Sequence, residues 1–207
     1  MFQRLRVHPV NPQPRLLSRA ADAIRQGGVV ALPTDACYVL GWAIGERQPL
    51  ERVRSIRALG ERHLMTVLCA GLSDLSRLAQ VDTRQFRFLK ERTPGPFTFI
   101  LPATREIPRR LLHPSRRTIG LRVPDSAVIA MLLDLLGEPI LATTLQLPGE
   151  ELPLNDPDEI EARLSKRIDA LVDAGSPGVD PTTVIDLTVD PIEVLRVGRG
   201  DPAIGSR

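Results

Sequence analysis

Cysteine, histidine and aromatic residues are all scarce in this chain, and each shortage removes a class of function. The two cysteines, Cys37 and Cys69, lie far apart and form no Cys-x-x-Cys pair. That leaves neither a disulfide framework nor a zinc site, and it points to a reducing compartment. His8, His63 and His113 are isolated, so spacing assembles neither a metal cluster nor a Ser/His/Asp triad. Aromatic residues make up 3% of the sequence, too few for serial stacking on the bases of a single strand. No GxxxxGK(S/T) loop is present, and no GxGxxG follows a strand pattern. No apolar run approaches the roughly 18 to 20 residues that span a bilayer, and "MFQRLRVHPVNPQP" lacks the apolar centre of a signal peptide. A cytoplasmic protein is expected.

What is present is ordinary in bulk and uneven in layout. With 207 residues, 43% hydrophobic and 25% charged, the chain can bury a substantial core without staples. A single domain over residues 1–207 is expected. Net charge is only +2, yet from Arg84 to Arg122 ten basic residues stand against two acids, and from Asp125 to Glu193 three stand against fifteen. Apart from Lys90 and Lys166, the basic residues are all arginine. The asymmetry suggests a basic face for a polyanion, nucleic acid among the candidates.

Apolar residues recur at helical spacing over 16–24, and Gly27-Gly28 would stop that helix before a strand over 29–32. Helices are expected at 48–59, 83–93, 126–137 and 156–167, and strands at 65–70, 97–103, 118–124 and 139–144. Three more short strands close the pattern in "LVDAG", "TTVIDL" and "IEVLRVG". Alternation of this kind gives an α/β fold with a mixed, twisted sheet.

One stretch interrupts the pattern. In "ALPTDACYVLG", residues 31–41, an apolar strand runs into proline, hydroxyl and carboxylate before turning apolar again, and Asp35 is expected to shape a turn through backbone hydrogen bonds. Other hydroxyls and arginines fall at strand ends, where open α/β sheets bind ligands. They are Thr118 with Arg122, Thr143-Thr144, Thr182-Thr183 and Arg196. Guanidinium and hydroxyl groups are the donors an anionic ligand requires, although each threonine can equally bond strand-end backbone.

Taken in order, "ALPTDACYVLG", "TPGPFTFILPA", "TIGLRVP", "PILATTLQLPG", "TTVIDL" and "VLRVG" resemble the signature blocks of the YrdC/YciO family, from about the first helix to about residue 200. The resemblance implies a YrdC-like α/β fold: a twisted, open sheet of mixed parallel and antiparallel strands, flanked by helices, with a concave, positively charged cavity. It also implies a threonylcarbamoyl-AMP synthase-like nucleotidyltransferase. Such an enzyme uses L-threonine, bicarbonate and ATP to form threonylcarbamoyl-adenylate and pyrophosphate for the threonylcarbamoyladenosine modification of tRNA. ATP as substrate would bring Mg2+ through its phosphates, with no protein-bound metal. Carried over by motif, Thr34, Thr144 and Thr182 stand near the amino acid and Arg122 on its carboxylate, while Thr118, Ala142 and Arg196 match the nucleotide side. Thr34 would then be the hydroxyl presented where the chain leaves the sheet, with Tyr38 as pocket wall and Cys37 as packing.

The departures from the family pattern matter as much. The synthases carry a Lys-x-Arg pair after the second helix, and here Arg57-Ala58-Leu59 stands in its place. Arg57 is the catalytic cation that remains, and Arg54 or Arg62 are the neighbours that can replace the other. Gln146 takes the place of a family asparagine and Leu68 that of a histidine. With "IRALGERHLMTVLC" and "PRRLLHPSRRTIGLRVP", these changes look like the YciO branch. Loss of a transition-state cation costs about two to three decades in rate, so weak or altered activity is one expectation. Two others stay open: a double-stranded RNA or tRNA binder using Arg109, Arg110, Arg116 and Arg117, and a nucleotide or small-molecule sensor without turnover.

Overall fold

The structure, a computed structural model, describes residues 1–61 and 63–202. Arg62, one of the two candidate replacement cations, lies outside the described residues. The strands are β1 (Gln3–Arg6), β2 (Val30–Pro33), β3 (Tyr38–Ala43), β4 (Thr66–Leu68), β5 (Phe97–Pro102), β6 (Thr118–Arg122), β7 (Ile140–Thr144), β8 (Ala170–Asp173), β9 (Thr183–Asp186) and β10 (Glu193–Arg196). The helices are α1 (Pro14–Arg25), α2 (Arg47–Arg57), α3 (Leu72–Leu78), α4 (Thr83–Arg92), α5 (Ala127–Leu136) and α6 (Pro157–Leu164).

Helix ends follow local chemistry. Pro14 opens α1, where a missing N–H costs nothing. Asp82 and Gln85 form a reciprocal capping box on α4. Asp156 caps α6, whose first turn carries Asp158 and Glu159 at the positive end of the helix dipole. Gly137 ends α5 with φ of 73°, the left-handed conformation that glycine adopts without penalty.

All ten strands join one mixed, open sheet in the order β1-β8-β2-β3-β7-β4-β6-β5-β9-β10. Pairs β1/β8, β2/β8, β4/β6 and β5/β9 are parallel, and the remaining pairs are antiparallel. Each face carries its own core. On one, Tyr38, Leu40 and Trp42 of β3 and Ile119 and Leu121 of β6 pack with Leu50 and Val53 of α2, Leu75 of α3, Leu89 of α4 and Ile160 of α6. On the other, Val30, Leu32, Leu68, Ile140 and Ala142 pack with Leu17 and Ile24 of α1 and Ile129 and Leu132 of α5.

The sequence reading anticipates every element except β1, β3 and α3. Strand β3 is buried on both faces, with Val39 turned to the second core and its neighbours to the first, so it shows no period of two. β1 is four residues long and lies at the sheet edge. α3 spans seven residues, two turns with two buried leucines, too short for a 3.6-residue period to stand out.

Candidate functional site

Helices α1 and α5 pack over one end of the second face, where α1 meets β1, β2, β3 and β8. Farther along that face the inward positions change character. β6 offers Thr118, Gly120 and Arg122 there, between Ile119 and Leu121 of the opposite core. A cavity of about 340 Å³ opens over this part of the sheet. Its wall includes Cys37 and Val39, Thr66 and Leu68, Thr98 and Ile100, Gly120 and Arg122, Ala142 to Thr144, Thr182, Val184 and Arg196. Arg57 enters from the end of α2 and His63 from the segment after it, and Gln146 with Glu151 to Pro153 closes another side.

Of the residues singled out from sequence, the structure brings Arg57, Arg122, Ala142, Thr144, Thr182 and Arg196 to this one cavity. Arg57 ends α2 and donates from Nε to the Gln146 carbonyl at 3.0 Å and from Nη1 to the Thr143 hydroxyl. Arg196 donates to the Thr182 carbonyl at 2.9 and 3.0 Å and to its hydroxyl at 3.2 Å, and that hydroxyl also pairs with Thr98 at 2.8 Å. Arg122 donates from Nη2 to Oδ1 of Asp35. Burial pushes all three guanidinium groups below the usual arginine range, and at Arg122 the Asp35 charge opposes that shift.

Two expected site residues do not line the cavity. Thr34 sits in the turn between β2 and β3, where its hydroxyl donates to the Cys37 carbonyl at 2.7 Å and accepts from the Ala36 and Cys37 N–H groups at 3.2 and 3.3 Å. One donor and two acceptor sites exhaust a hydroxyl, so none remains for a ligand. Thr118 is buried at the opposite end of β6 from Arg122, about 13 Å away along the strand. The roles expected around Thr34 also exchange. Thr34 shapes the turn, while Asp35 reaches Arg122 instead of its own backbone. Cys37 lines the cavity, while Tyr38 points to the first core and donates to the Gly175 carbonyl at 2.9 Å. Burial pushes the Cys37 thiol above its usual range, with Arg122 pulling against it.

Arg54 does not replace the cation missing at position 59. It is held by Glu51 at 3.0 Å and the Glu61 carbonyl at 2.8 Å, outside the cavity wall, and Leu59 packs against the core. The group that reaches the cavity beside Arg57 is His63, whose pKa is lowered by burial and then by Arg57 and Arg54. Sequence reasoning also passed over Thr98 and the segment 151–153. A period-two reading of β5 and β6, with hydroxyl, glycine and arginine on one face, would have pointed to that wall. Arg109, Arg110, Arg116 and Arg117 are exposed on the segment before β6, with Arg110 donating to the Gly45 carbonyl and Arg116 paired with buried Asp186 at 3.0 Å. Among the described residues no group of three or more His, Cys, Asp or Glu stands together as a metal site, and no helix is long and apolar enough to cross a membrane.

Comparison with known proteins places this geometry. The sequence model of the Sua5/YciO/YrdC family, described as telomere recombination, matches residues 22–198. The uncharacterized protein YciO of Escherichia coli is 48% identical over 97% of this chain and 98% of its own. Its crystal structure superposes with a TM-score of 0.93 over the same shares. Threonylcarbamoyl-AMP synthase of Halorhodospira halophila is 31% identical over 86% of this chain and 93% of its own. Sua5 of P. abyssi, solved in complex with L-threonine, is 25% identical with a TM-score of 0.85 over 96% of this chain and 57% of its own. The chain therefore belongs to the YrdC/Sua5 family, related to threonylcarbamoyl-AMP synthase, and shares 48% identity with its YciO member.

Proposed function

We propose that the cavity joins an amino acid to ATP through a carbamate, in a threonylcarbamoyl-AMP synthase-like reaction with L-threonine as the amino acid. The observation that carries this reading is the convergence of Arg57, Arg122 and Arg196 with Thr144 and Thr182 on one cavity. A synthase and a threonine-bound Sua5 among the relatives support it. With Arg122 paired to Asp35, Arg57 and Arg196 against the single carboxylate of Glu151 leave the lining positive. The volume falls within the roughly 300–1,000 Å³ of small-molecule sites.

In this reading Arg122 receives the amino-acid carboxylate, while Arg57 and Arg196 receive phosphate oxygens. The α-ammonium gives up a proton to solvent, and the free amine condenses with bicarbonate to the carbamate with loss of water. A carbamate oxygen then attacks the α-phosphorus in line as pyrophosphate leaves. The protein supplies position and positive charge, not a nucleophile. Guanidinium and hydroxyl donors fit phosphate and carboxylate oxygens, and Mg2+ would be held through the phosphates, neutralising charge there. The test is pyrophosphate release with ATP, bicarbonate and each amino acid in turn. Threonine-dependent release is expected, and no release with any amino acid overturns the reading.

The exposure of Arg105, Arg109, Arg110, Arg116 and Arg117 on one segment favours a second reading, contact with the phosphates of double-stranded RNA or tRNA. Affinity should then fall linearly in log–log form with salt, by about 0.9 per phosphate neutralised. Binding indifferent to salt would exclude it.

A further inference from the structure

The three cavity arginines differ in what holds them. Arg57 and Arg196 are fixed by carbonyl and hydroxyl oxygens, and neither has an acidic partner among the described residues. Arg122 is paired with a carboxylate, and both side chains are nearly sealed, 4% exposed for Arg122 and 11% for Asp35. Arg122 lines the cavity, whereas Asp35 is not part of its wall. The position of Asp35 is set by the turn that the Thr34 hydroxyl closes. Nε of Arg122 and Oδ2 of Asp35 are both buried without a hydrogen-bond partner, so each charge is compensated chiefly by the other.

We propose that Asp35 is a specificity-determining residue: by cancelling the charge of Arg122 it reserves that end of the cavity for α-amino acids, which bring an ammonium beside the carboxylate, and leaves bare anions to Arg57 and Arg196. The assignment of an amino acid to Arg122 rests on the proposed function above. The charge count supplies the mechanism. A neutral buried pair gains one net negative charge when a bare carboxylate enters, and one or two when phosphate does, which is costly where water is excluded. A zwitterion adds none as it enters, and the charge of the carbamate arises only after the amino acid has been selected. An unpaired arginine at the same place would accept any anion.

Calorimetric titration of the wild-type protein and Asp35→Asn tests this with three probes: L-threonine, the 2-hydroxy acid bearing hydroxyl in place of its α-amine, and inorganic phosphate. The wild-type protein should prefer L-threonine to the hydroxy acid by about tenfold or more. Asp35→Asn should narrow that ratio and gain about tenfold for phosphate. A merely structural Asp35 would weaken all three probes together and leave the ratio unchanged, which overturns the proposal. If circular dichroism finds Asp35→Asn unfolded, the wild-type ratio decides alone, and parity between the two acids overturns it. Parity leaves the synthase reading standing. Wild-type protein that ignores L-threonine, with phosphate binding gained in Asp35→Asn, withdraws the synthase reading and supports the charge cancellation.

Discussion

Arg122 and Asp35 tie the stability of the protein to its proposed chemistry. Arg122→Ala should abolish threonine-dependent pyrophosphate release, and it leaves a buried carboxylate without its partner. Breaking such a pair from one side costs about 3–5 kcal/mol, whereas replacing both charges by apolar groups of similar volume is often neutral. Denaturant melts should therefore show Arg122→Met strongly destabilised and Arg122→Met with Asp35→Leu largely restored. A double variant as weak as the single one would show that the pair does not act as a unit. His63 supplies a pH dependence. Its pKa is lowered by burial and by Arg57 and Arg54, so the unfolded chain takes up a proton that the folded form resists. The stability it contributes is present at neutral pH and lost as pH falls through and below the histidine range. His63→Gln should flatten that part of the stability profile, an effect softened by solvent because the ring is only partly covered. At this scale the sequence marks which residues are unusual but not what each one does. "Thr-Asp" stands out as polar in an apolar context, yet whether hydroxyl or carboxylate makes the turn depends on Arg122, 87 positions away.

Two elements hold the cavity's edges in place. The β2–β3 hairpin registers Pro33 against Tyr38, so its four-residue loop is closed by the Thr34 hydroxyl as well as by strand pairing. Thr34→Val leaves the buried Ala36 and Cys37 N–H groups without that acceptor and should cost about 1–3 kcal/mol, while Thr34→Ser keeps most of the stability. Equal melting of the two variants would remove the hydroxyl from the account. Helix α2 ends on Arg57 with Ala58 in the left-handed conformation, φ 51°, and Leu59 N–H returning to the Arg54 carbonyl at 2.9 Å. Ala58→Gly should stabilise by about 0.5–1 kcal/mol, because only glycine adopts that backbone freely. An unchanged or lower midpoint would refute it. Elements with strong periods or clear punctuation, such as α5 with its Ser126 start and Gly137 stop, were legible in sequence. A strand covered on both faces has no alternation to read, so in sequence β3 is continuous with the turn before it.

Across the whole molecule the cavity depends on pairings that no local pattern encodes. β7 lies between β3 and β4, and β9 pairs β5 across more than 80 residues, so Thr144, Leu68, Arg122 and Thr182 meet only when β7, β4, β6, β5 and β9 have paired. The sequence identifies strand ends with hydroxyls and arginines, but the sheet order decides which ends converge, and it left Thr118 at the far end of β6. The same dependence has a thermodynamic consequence. A ligand held by residues from Cys37 to Arg196 binds only the assembled sheet, so its binding energy should appear as stability of the whole unit, about 2.7 kcal/mol at one hundred times Kd. Saturation with a non-hydrolysable ATP analogue and L-threonine should raise the melting midpoint. It should also slow amide exchange together in β3, β6, β7 and β9, although these strands are distant in sequence. Slowing confined to one strand pair would mean that the ligand occupies only one wall, and that the arginines gathered here do not act on a common substrate.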